Sequence, residues 1–182
     1  MSNIIVGVTG SISAYKASSL VSILVNGTDT FGSQQVKVVM TENAKKFITP
    51  LTLATLSKNP VYDDASEWRP DGEIKHIELS SWGDILIIAP ATANTIVKMS
   101  QGIADNLLTS IFLAWKDKPV FIAPAMNPRM WENNKVQGAL RNLSRLAHII
   151  SPVEGKMACG DTGMGKLAST KSLIEACWEK LR

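Results

Sequence analysis

The sequence predicts an α/β fold, a doubly wound and mostly parallel sheet with helices on both faces. Three observations predict it: apolar strand-like runs alternate with helical patterns, two of these runs are apolar throughout, and a proline ends each of the two. Strands that are apolar throughout are typical of parallel sheets, because both of their faces are buried. Alternation of strand and helix favours parallel strands joined by helical crossovers.

Five apolar runs are the predicted strands. They cover residues 4–9, 36–41, 85–90, 119–124 and 148–151. Because proline cannot continue a central ladder, we expect the third strand to end at Pro90 and the fourth at Pro124.

Helical patterns follow most of these strands. Helices are predicted at residues 13–25, 94–100, from near Asp105 onward, and at 169–181, with Ser169 or Thr170 as the last N-cap. The apolar positions that should face the core are Ala17, Leu20, Val21, Leu24, Leu107, Leu108, Ile111, Phe112, Leu173, Ile174, Cys177 and Leu181. Residues 26–35 are predicted to form a polar surface turn.

The length, composition and charge of the sequence exclude several classes of protein. With 182 residues, 45% hydrophobic and 19% charged, the chain is expected to form a single soluble domain over residues 1–182. A net charge of +3 without a basic run argues against nucleic acid, and no apolar stretch reaches the ~18 residues of a membrane span. The strand pattern at the N-terminus argues against a signal peptide. Two cysteines in different settings predict neither a disulfide framework nor a metal site, so we expect a cytoplasmic protein.

The segment Thr-Gly-Ser-Ile-Ser, residues 9–13, ends the first strand and opens the first helix. Backbone N–H groups and the positive end of a helix dipole suit such a turn to a phosphate. Gly10 lets the chain turn closely, while Ser11 and Ser13 offer hydroxyl groups. The segment has neither the P-loop nor the dinucleotide fingerprint. It therefore predicts either a phosphate site or an ordinary turn with a serine cap.

Two later segments, residues 87–95 and 121–128, share a pattern of an apolar strand, Ala-Pro-Ala and then an asparagine. The carboxyl ends of parallel strands meet at one edge of the sheet, so both segments should open there. Small residues let a flat ring approach the backbone, and the Thr92, Asn94 and Thr95 side chains are placed to hydrogen-bond its edge. The repetition favours a binding site over two capped helix starts.

Two residues are candidates for proton transfer. His76 lies in the segment 75–84, and imidazoles titrate near neutral pH, although a lone histidine is often structural. His148, at a strand entrance, is interpreted as structural. Cys159 lies in the glycine-rich segment 155–166, which we expect to lack regular structure. We interpret it as a thiol on a glycine-hinged lid, the alternative being a loop thiol without a role.

These features together describe a site for a flat cofactor that carries a phosphate. A dinucleotide fingerprint would place an acidic residue at the end of the second strand, where this chain has Thr41. The sheet type and the phosphate loop fit flavin mononucleotide (FMN) at least as well as a dinucleotide.

The chain closely resembles the homo-oligomeric flavin-containing cysteine decarboxylases in six segments that occur in the family's order. These segments are GVTGSISAYK, HIELSSWGD, IIAPATANT, GIADNLLT, PAMNPRMWEN and GKMACGDTGMGK. The fourth strand's Pro-Ala-Met-Asn and the late Ala-Cys-Gly are specific together, whereas flavin prenyltransferases share the Gly-Ser loop. The resemblance implies a Rossmann-like or flavodoxin-like flavoprotein fold with FMN as its cofactor.

The resemblance also implies a role for each matching residue. His76 would be the base, Cys159 the proton donor, and Asn127 the group that grips the substrate, with a clamp beside it. The clamp residues are Lys156, Met157 and Ala158. The residues implied to hold FMN are Gly10, Ser11, Ile12, Thr41, Thr92, Ala93, Asn94, Thr95 and Ala125.

The implied reaction is FMN-dependent decarboxylation of 4′-phosphopantothenoylcysteine to 4′-phosphopantetheine in coenzyme A biosynthesis. Oxidation of the thiol-bearing carbon to a thioaldehyde supplies the electron sink that a departing carboxylate needs, and the hydride goes to FMN and returns. Two alternatives stay open, a peptidyl-cysteine decarboxylase of lantibiotic maturation and a non-catalytic regulatory flavoprotein.

The implied partners are the small-molecule substrate and further copies of the chain, in a trimer or a dodecamer with the site between subunits. Neither nucleic acid nor a membrane is expected to bind. Three residues are candidates for the contact with the substrate phosphate: Lys16, Lys45 and Arg129.

Overall fold

The computed structural model describes residues 1–28, 31–68 and 72–181, and within them a six-stranded sheet forms the centre of the protein. All strand pairs in this sheet are parallel, and the strand order is β3-β2-β1-β4-β5-β6. The strands are β1 (Asn3–Val8), β2 (Gln35–Met40), β3 (Val61–Tyr62), β4 (Ile85–Ala91), β5 (Val120–Pro124) and β6 (His148–Ile149). The predicted fold class is confirmed.

Nine α-helices lie in the described part of the chain. They are α1 (Ala17–Asn26), α2 (Pro50–Ser57), α3 (Asp64–Glu67), α4 (Lys75–Trp82), α5 (Ala93–Ser100), α6 (Leu107–Ala114), α7 (Pro128–Trp131), α8 (Asn134–Leu143) and α9 (Thr170–Leu181). A 3-10 helix (Ile12–Lys16) precedes α1, and another (Ala44–Lys46) precedes α2. None of the helices described is long and apolar enough to cross a membrane.

Alternate residues of each central strand face two separate cores. In β1, Ile4, Val6 and Val8 belong to a core with α1 and α9, whereas Ile5 belongs to a second core with α5, α6 and α8. Burial on both faces is the reason that the central strands are apolar throughout.

The predicted strands and helices are present, and the boundaries of two of them are corrected. β4 runs one residue past Pro90, because its register with β5 shifts between Ile88 and Ala91 and lets the ladder continue. The helix predicted to begin at residue 13 begins as a 3-10 turn. The segment that contains His76 is helical, as α4.

Ser169 is the residue that caps α9, since its hydroxyl accepts from the backbone N–H of Ser172 at 3.0 Å. His148 begins β6 and stacks on Phe121 with ring centroids 5.1 Å apart, in keeping with its structural interpretation. The predicted burial of Leu181 and the part of the predicted surface turn at residues 29 and 30 fall outside what the structure describes.

A second, two-stranded sheet stands apart from the first. Strands β7 (Val153–Lys156) and β8 (Thr162–Lys166) pair antiparallel, with Gly155 opposite Gly163. The glycine-rich segment was expected to lack regular structure, and this hairpin corrects that expectation for its two ends. Cys159 remains in the turn between the strands.

Candidate functional site

A cleft of about 520 Å³ opens at the carboxyl ends of β1, β2, β4 and β5. Eight of the residues predicted to hold the cofactor line it: Gly10, Ser11, Thr41, Thr92, Ala93, Asn94, Thr95 and Ala125. Ile12 is the exception, because it lines a neighbouring cavity instead. The strand ends therefore converge where parallel-sheet topology places a ligand.

Thr9 connects the loop after β1 to the end of β4 and the loop that follows it through two hydrogen bonds. Its buried hydroxyl donates to the carbonyl oxygen of Pro90 at 2.7 Å and accepts from the backbone N–H of Thr92 at 3.0 Å. Thr92 in turn caps α5, its hydroxyl accepting from the N–H of Thr95 at 3.4 Å. Sequence reasoning placed Thr9 at the strand end without a role, because nothing local shows that its partner lies 81 residues away.

The residues of the larger cleft fit a flavin. Glycine at position 10 lets the loops after β1 and β2 approach each other closely, since a Cβ atom there would lie 2.4 Å from the Cβ of Asn43. Ala93 and Ala125 are small and almost fully buried, so a flat ring meets backbone and methyl groups. Around them, the hydroxyls of Ser11 and Thr41 are donors and acceptors for a polar ring edge or a phosphate.

A second cavity of about 380 Å³ adjoins the first and shares Ser11 and Met126 with it. Its lining contains every residue predicted to contact the substrate, together with the predicted proton donor: Asn127, Lys156, Met157, Ala158 and Cys159. The structure thus brings the residues predicted to contact the substrate together beside the larger cleft.

Asn127 is fixed at both ends of its side-chain amide. Its Oδ1 accepts from the backbone N–H of Arg129 at 2.9 Å, so it caps α7. Its Nδ2 donates to Cys159 Sγ at 3.1 Å and to Asp161 Oδ2 at 3.0 Å. The hydrogen bond from Asn127, followed by the charge of Arg129, holds the pKa of Asp161 below its usual range. Asp161 lies in a matched motif, but sequence reasoning gave it no role.

The hairpin β7–β8 is docked on the loop that follows β5. The backbone N–H of Met126 donates to the carbonyl oxygen of Gly165 at 2.9 Å. A Cβ atom at Gly165 would lie 2.3 Å from the Met126 oxygen, and the φ of +134° there also disfavours any other residue. This contact holds the turn with Cys159 against the second cavity.

His76 is not brought to either cavity. It lies in the first turn of α4 and lines a separate open depression of about 210 Å³ with Ala104, Ser110, Leu113 and Ala114. Within one chain, the predicted base is therefore apart from Asn127 and Cys159. The three would form one site only if it were completed by a second copy.

Glu67 orients the His76 imidazole. Its Oε1 is hydrogen-bonded to His76 Nδ1, and its Oε2 accepts from the backbone N–H of His76 at 3.0 Å. A carboxylate only accepts, so Nδ1 carries the proton and Nε2 is the nitrogen available for chemistry. Sequence reasoning missed Glu67, because nine residues separate it from His76 with no pattern that links them.

The two cysteines differ as predicted. Cys159 is an exposed free thiol, whereas Cys177 is fully buried in the core, where burial raises its pKa to about 12. Within the described ranges, no group of three or more His, Cys, Asp or Glu residues is arranged to hold a metal ion.

The family model described as Flavoprotein matches residues 1–182 of the chain. The chain belongs to the flavoprotein family. This membership confirms the predicted class of protein and its flavin cofactor. The larger cleft stays the predicted site of the flavin.

Several relatives of this flavoprotein align with it over nearly the full length of both chains. It is 42% identical over 98% of each chain to a probable phosphopantothenoylcysteine decarboxylase from Streptococcus mutans. The solved structure of a PPC decarboxylase variant complexed with pantothenoylaminoethenethiol matches with a TM-score of 0.85 and 34% identity, over 98% of each chain. That of the FMN-dependent cysteine decarboxylase SpaF matches with a TM-score of 0.77 and 32% identity, over 97% of this chain and 98% of SpaF. These matches confirm the resemblance to the flavin-containing cysteine decarboxylases.

Other relatives of the flavoprotein are longer. The chain is 40% identical to a coenzyme A biosynthesis bifunctional protein from Vibrio parahaemolyticus, with 96% of this chain aligned to 42% of that protein. The chain thus spans less than half the length of this relative.

Proposed function

We propose that this flavoprotein binds FMN and decarboxylates 4′-phosphopantothenoylcysteine to 4′-phosphopantetheine, by way of a thioaldehyde. The observation that carries the proposal is the hydrogen bond between Asn127 and Cys159, in a cavity that adjoins the flavin cleft. The names of the relatives supply the substrate: a probable phosphopantothenoylcysteine decarboxylase aligns at full length.

The chemistry requires a temporary oxidation of the substrate. Loss of carbon dioxide from a cysteine carboxylate leaves an electron pair on a carbon that has no neighbouring sink, and a thioaldehyde at the next carbon provides one. When bound in the larger cleft, FMN would supply the redox chemistry of both stages, as the hydride acceptor for that oxidation and, once reduced, as the hydride donor for the final reduction.

The protein's own groups bind the substrate and move protons. Asn127 lines the cavity, and its Nδ2 can hold a polar group of the cysteinyl end when that group replaces Cys159 Sγ or Asp161 Oδ2 as its acceptor. Cys159 Sγ lies beside it and delivers the proton that accompanies the returning hydride. The docked hairpin keeps this thiol at the cavity.

We further propose that the site is completed by a second copy of the chain, which contributes His76 as the base that removes the thiol proton. The depression around His76 is lined by the exposed apolar side chain of Leu113, at 61% exposure, and Ile77, which follows His76 in the chain, is 48% exposed. The rim of the second cavity likewise exposes Ile12 at 57% and Tyr15 at 58%. Two apolar surfaces of this kind suit a subunit contact. The homo-oligomer proposed here is a trimer or an assembly of trimers, as the resemblance to the cysteine decarboxylases implies.

The proton-donor role needs Cys159 as a free thiol, so we place the reaction in a reducing compartment, the cytoplasm.

The proposal is tested by incubating the purified protein with 4′-phosphopantothenoylcysteine and measuring the mass of the product by mass spectrometry. Conversion to 4′-phosphopantetheine supports it. A preparation that contains flavin, is folded and releases no carbon dioxide would reject it.

The second candidate is a peptidyl-cysteine decarboxylase, which the structural match to SpaF favours. Such an enzyme uses the same Asn127 and His76 and releases the oxidised ene-thiol. A peptide with a C-terminal cysteine would then lose the mass of carbon dioxide plus two hydrogens.

A further inference from the structure

We propose that Lys16 and Lys166 form a subsite for a phosphate monoester at the second cavity, and that it binds the phosphate of the substrate. This inference rests on the proposed function and goes beyond it. It names the residues that would distinguish a phosphorylated substrate from a peptide with a C-terminal cysteine.

Two separate elements bring the lysines to one cavity. Lys16 ends the 3-10 helix that follows the Gly10 loop, and Lys166 ends β8. Both line the cavity that contains Asn127 and Cys159, and Lys156 lines it too. Gly155 makes room for Lys166, since a Cβ atom there would lie 3.1 Å from its Cδ and 3.6 Å from its Nζ. The ammonium group thus lies beside the opposite strand, close to the cavity.

The lysines of this cavity, Lys16, Lys156 and Lys166, form no ion pair with a carboxylate of the described residues, which are 1–28, 31–68 and 72–181. Burial lowers the pKa of Lys16, and the positive charge of Lys166 lowers it further. An anion between them would relieve this repulsion and gain charge-assisted hydrogen bonds.

The other candidates for the substrate phosphate already have anionic partners. Lys45 Nζ lies 2.5 Å from Asp63 and 2.6 Å from Glu42. Arg129 Nε lies 3.7 Å from Asp161. Of the three residues that the sequence suggested, Lys16 is the one without a carboxylate partner among the described residues. Lys166 was not among them.

The location favours the substrate over the cofactor as the source of the phosphate. Lys16 and Lys166 line the second cavity and not the larger cleft, where Ser11 and the capped start of α5 offer their own donors for an FMN phosphate. The second cavity is within the usual volume range of small-molecule sites, roughly 300–1,000 Å³.

The experiment compares two substrates, 4′-phosphopantothenoylcysteine and unphosphorylated pantothenoylcysteine, on the intact FMN-loaded protein. The test variant is Lys16→Gln with Lys166→Gln. The matched control is Lys135→Gln with Lys171→Gln, which removes two charges from exposed helix positions that line neither cavity. A calorimetric titration with 4′-phosphopantetheine and with pantetheine gives a readout that does not depend on turnover.

We expect the test variant to lose roughly tenfold or more in kcat/KM for the phosphorylated substrate, as the strength of charged hydrogen bonds implies. Its kcat/KM for pantothenoylcysteine and its flavin content should stay at the control's values. The affinity for 4′-phosphopantetheine should fall, and that for pantetheine should not.

Three results would overturn the subsite: equal losses on both substrates, no loss on either, or a loss of FMN, which would assign the lysines to the cofactor phosphate. If the native protein decarboxylates neither substrate, the proposed function fails. The calorimetric comparison then still decides the subsite, because equal binding of the two ligands by the native protein and the variant would reject it.

Discussion

Asn127 and Cys159, which are 32 residues apart in the sequence, meet through a hydrogen bond of 3.1 Å from Nδ2 to Sγ. Asn127 cannot turn away, because its Oδ1 caps α7 and its Nδ2 also bonds Asp161. The thiol is therefore held beside the amide that is proposed to grip the substrate, which is where a proton donor to the reacting carbon must be.

Cys159→Ser should separate the two halves of the reaction. Serine keeps the hydrogen bond to Asn127 but is a much weaker acid than a thiol, so oxidation and loss of carbon dioxide should proceed while the final protonation stalls. We expect an oxidised ene-thiol product, two hydrogens lighter than 4′-phosphopantetheine, in the mass spectrum.

Flavin content serves as the control for that variant, since Cys159 lines the second cavity and not the flavin cleft. Normal production of 4′-phosphopantetheine by Cys159→Ser would show that the proton comes from another group.

The two cysteines should differ in reactivity toward a disulfide reagent such as Ellman's reagent. Cys159 is exposed, whereas Cys177 is fully buried and burial raises its pKa to about 12, so almost none of it is thiolate at neutral pH. The folded protein should titrate one thiol and the unfolded protein two. A fast second thiol in the folded protein would contradict the core position of Cys177.

His76→Asn should lower kcat by roughly a hundredfold or more, because general base catalysis contributes about that much. The flavin should remain bound, since His76 does not line the flavin cleft. The measurement is steady-state decarboxylation together with the flavin spectrum. Full activity in this variant would remove His76 from the mechanism.

Glu67→Gln should lower kcat with little change in KM. An amide can present its N–H to Nδ1 and favour the wrong tautomer, whereas Glu67→Asp keeps an acceptor and should restore part of the rate. If both substitutions lower kcat equally and also lower the yield of folded protein, Glu67 supports α4 and does not orient His76.

Mixed oligomers should recover activity that neither parent variant has. If one copy supplies His76 and its neighbour supplies Asn127 and Cys159, co-expressed His76→Asn and Asn127→Ala chains carrying different tags can form some intact sites. Doubly purified mixed oligomers should therefore make 4′-phosphopantetheine. Were all three residues to act from one chain, these preparations would stay inactive.

Gly10→Ala should reduce flavin content. Its new Cβ would lie 2.4 Å from the Cβ of Asn43, so the loop has to move out of the cleft. Gly138→Ala is the matched control in α8, where the nearest heavy atom is Arg141 Nη2 at 3.8 Å. That variant should keep its flavin, and its free energy of unfolding should be about 0.5–1 kcal/mol higher than that of the unsubstituted protein. Full flavin occupancy in Gly10→Ala would contradict the placement of the cofactor.

The sequence predicts the sheet well because its central strands are buried on both faces. The apolar runs at β1, β2, β4 and β5 agree with the structure to within one or two residues at each end. Helix α4 was missed, since Lys75 and His76 begin a short polar segment without a clear apolar stripe. The hairpin was missed because its glycines have low strand propensity, and contacts such as that between Met126 and Gly165 define it.

The site was predicted from motifs but its geometry was not. Local pattern placed the Gly10 loop and the two Ala-Pro-Ala segments at one sheet edge, because parallel topology requires it. The separation of His76 from Cys159 and the bond between His76 and Glu67 depend on how α3 and α4 pack, which no local pattern encodes. The pairing of Lys16 with Lys166 is likewise a tertiary relationship.

The most direct test of the account is one preparation examined in two ways, by its visible flavin absorbance and by the mass of its product from 4′-phosphopantothenoylcysteine. We predict bound FMN and a product lighter by carbon dioxide alone, because the hydride is returned. A folded, assembled protein that is colourless and refuses FMN, or one that holds FMN and leaves the substrate unchanged, would contradict it.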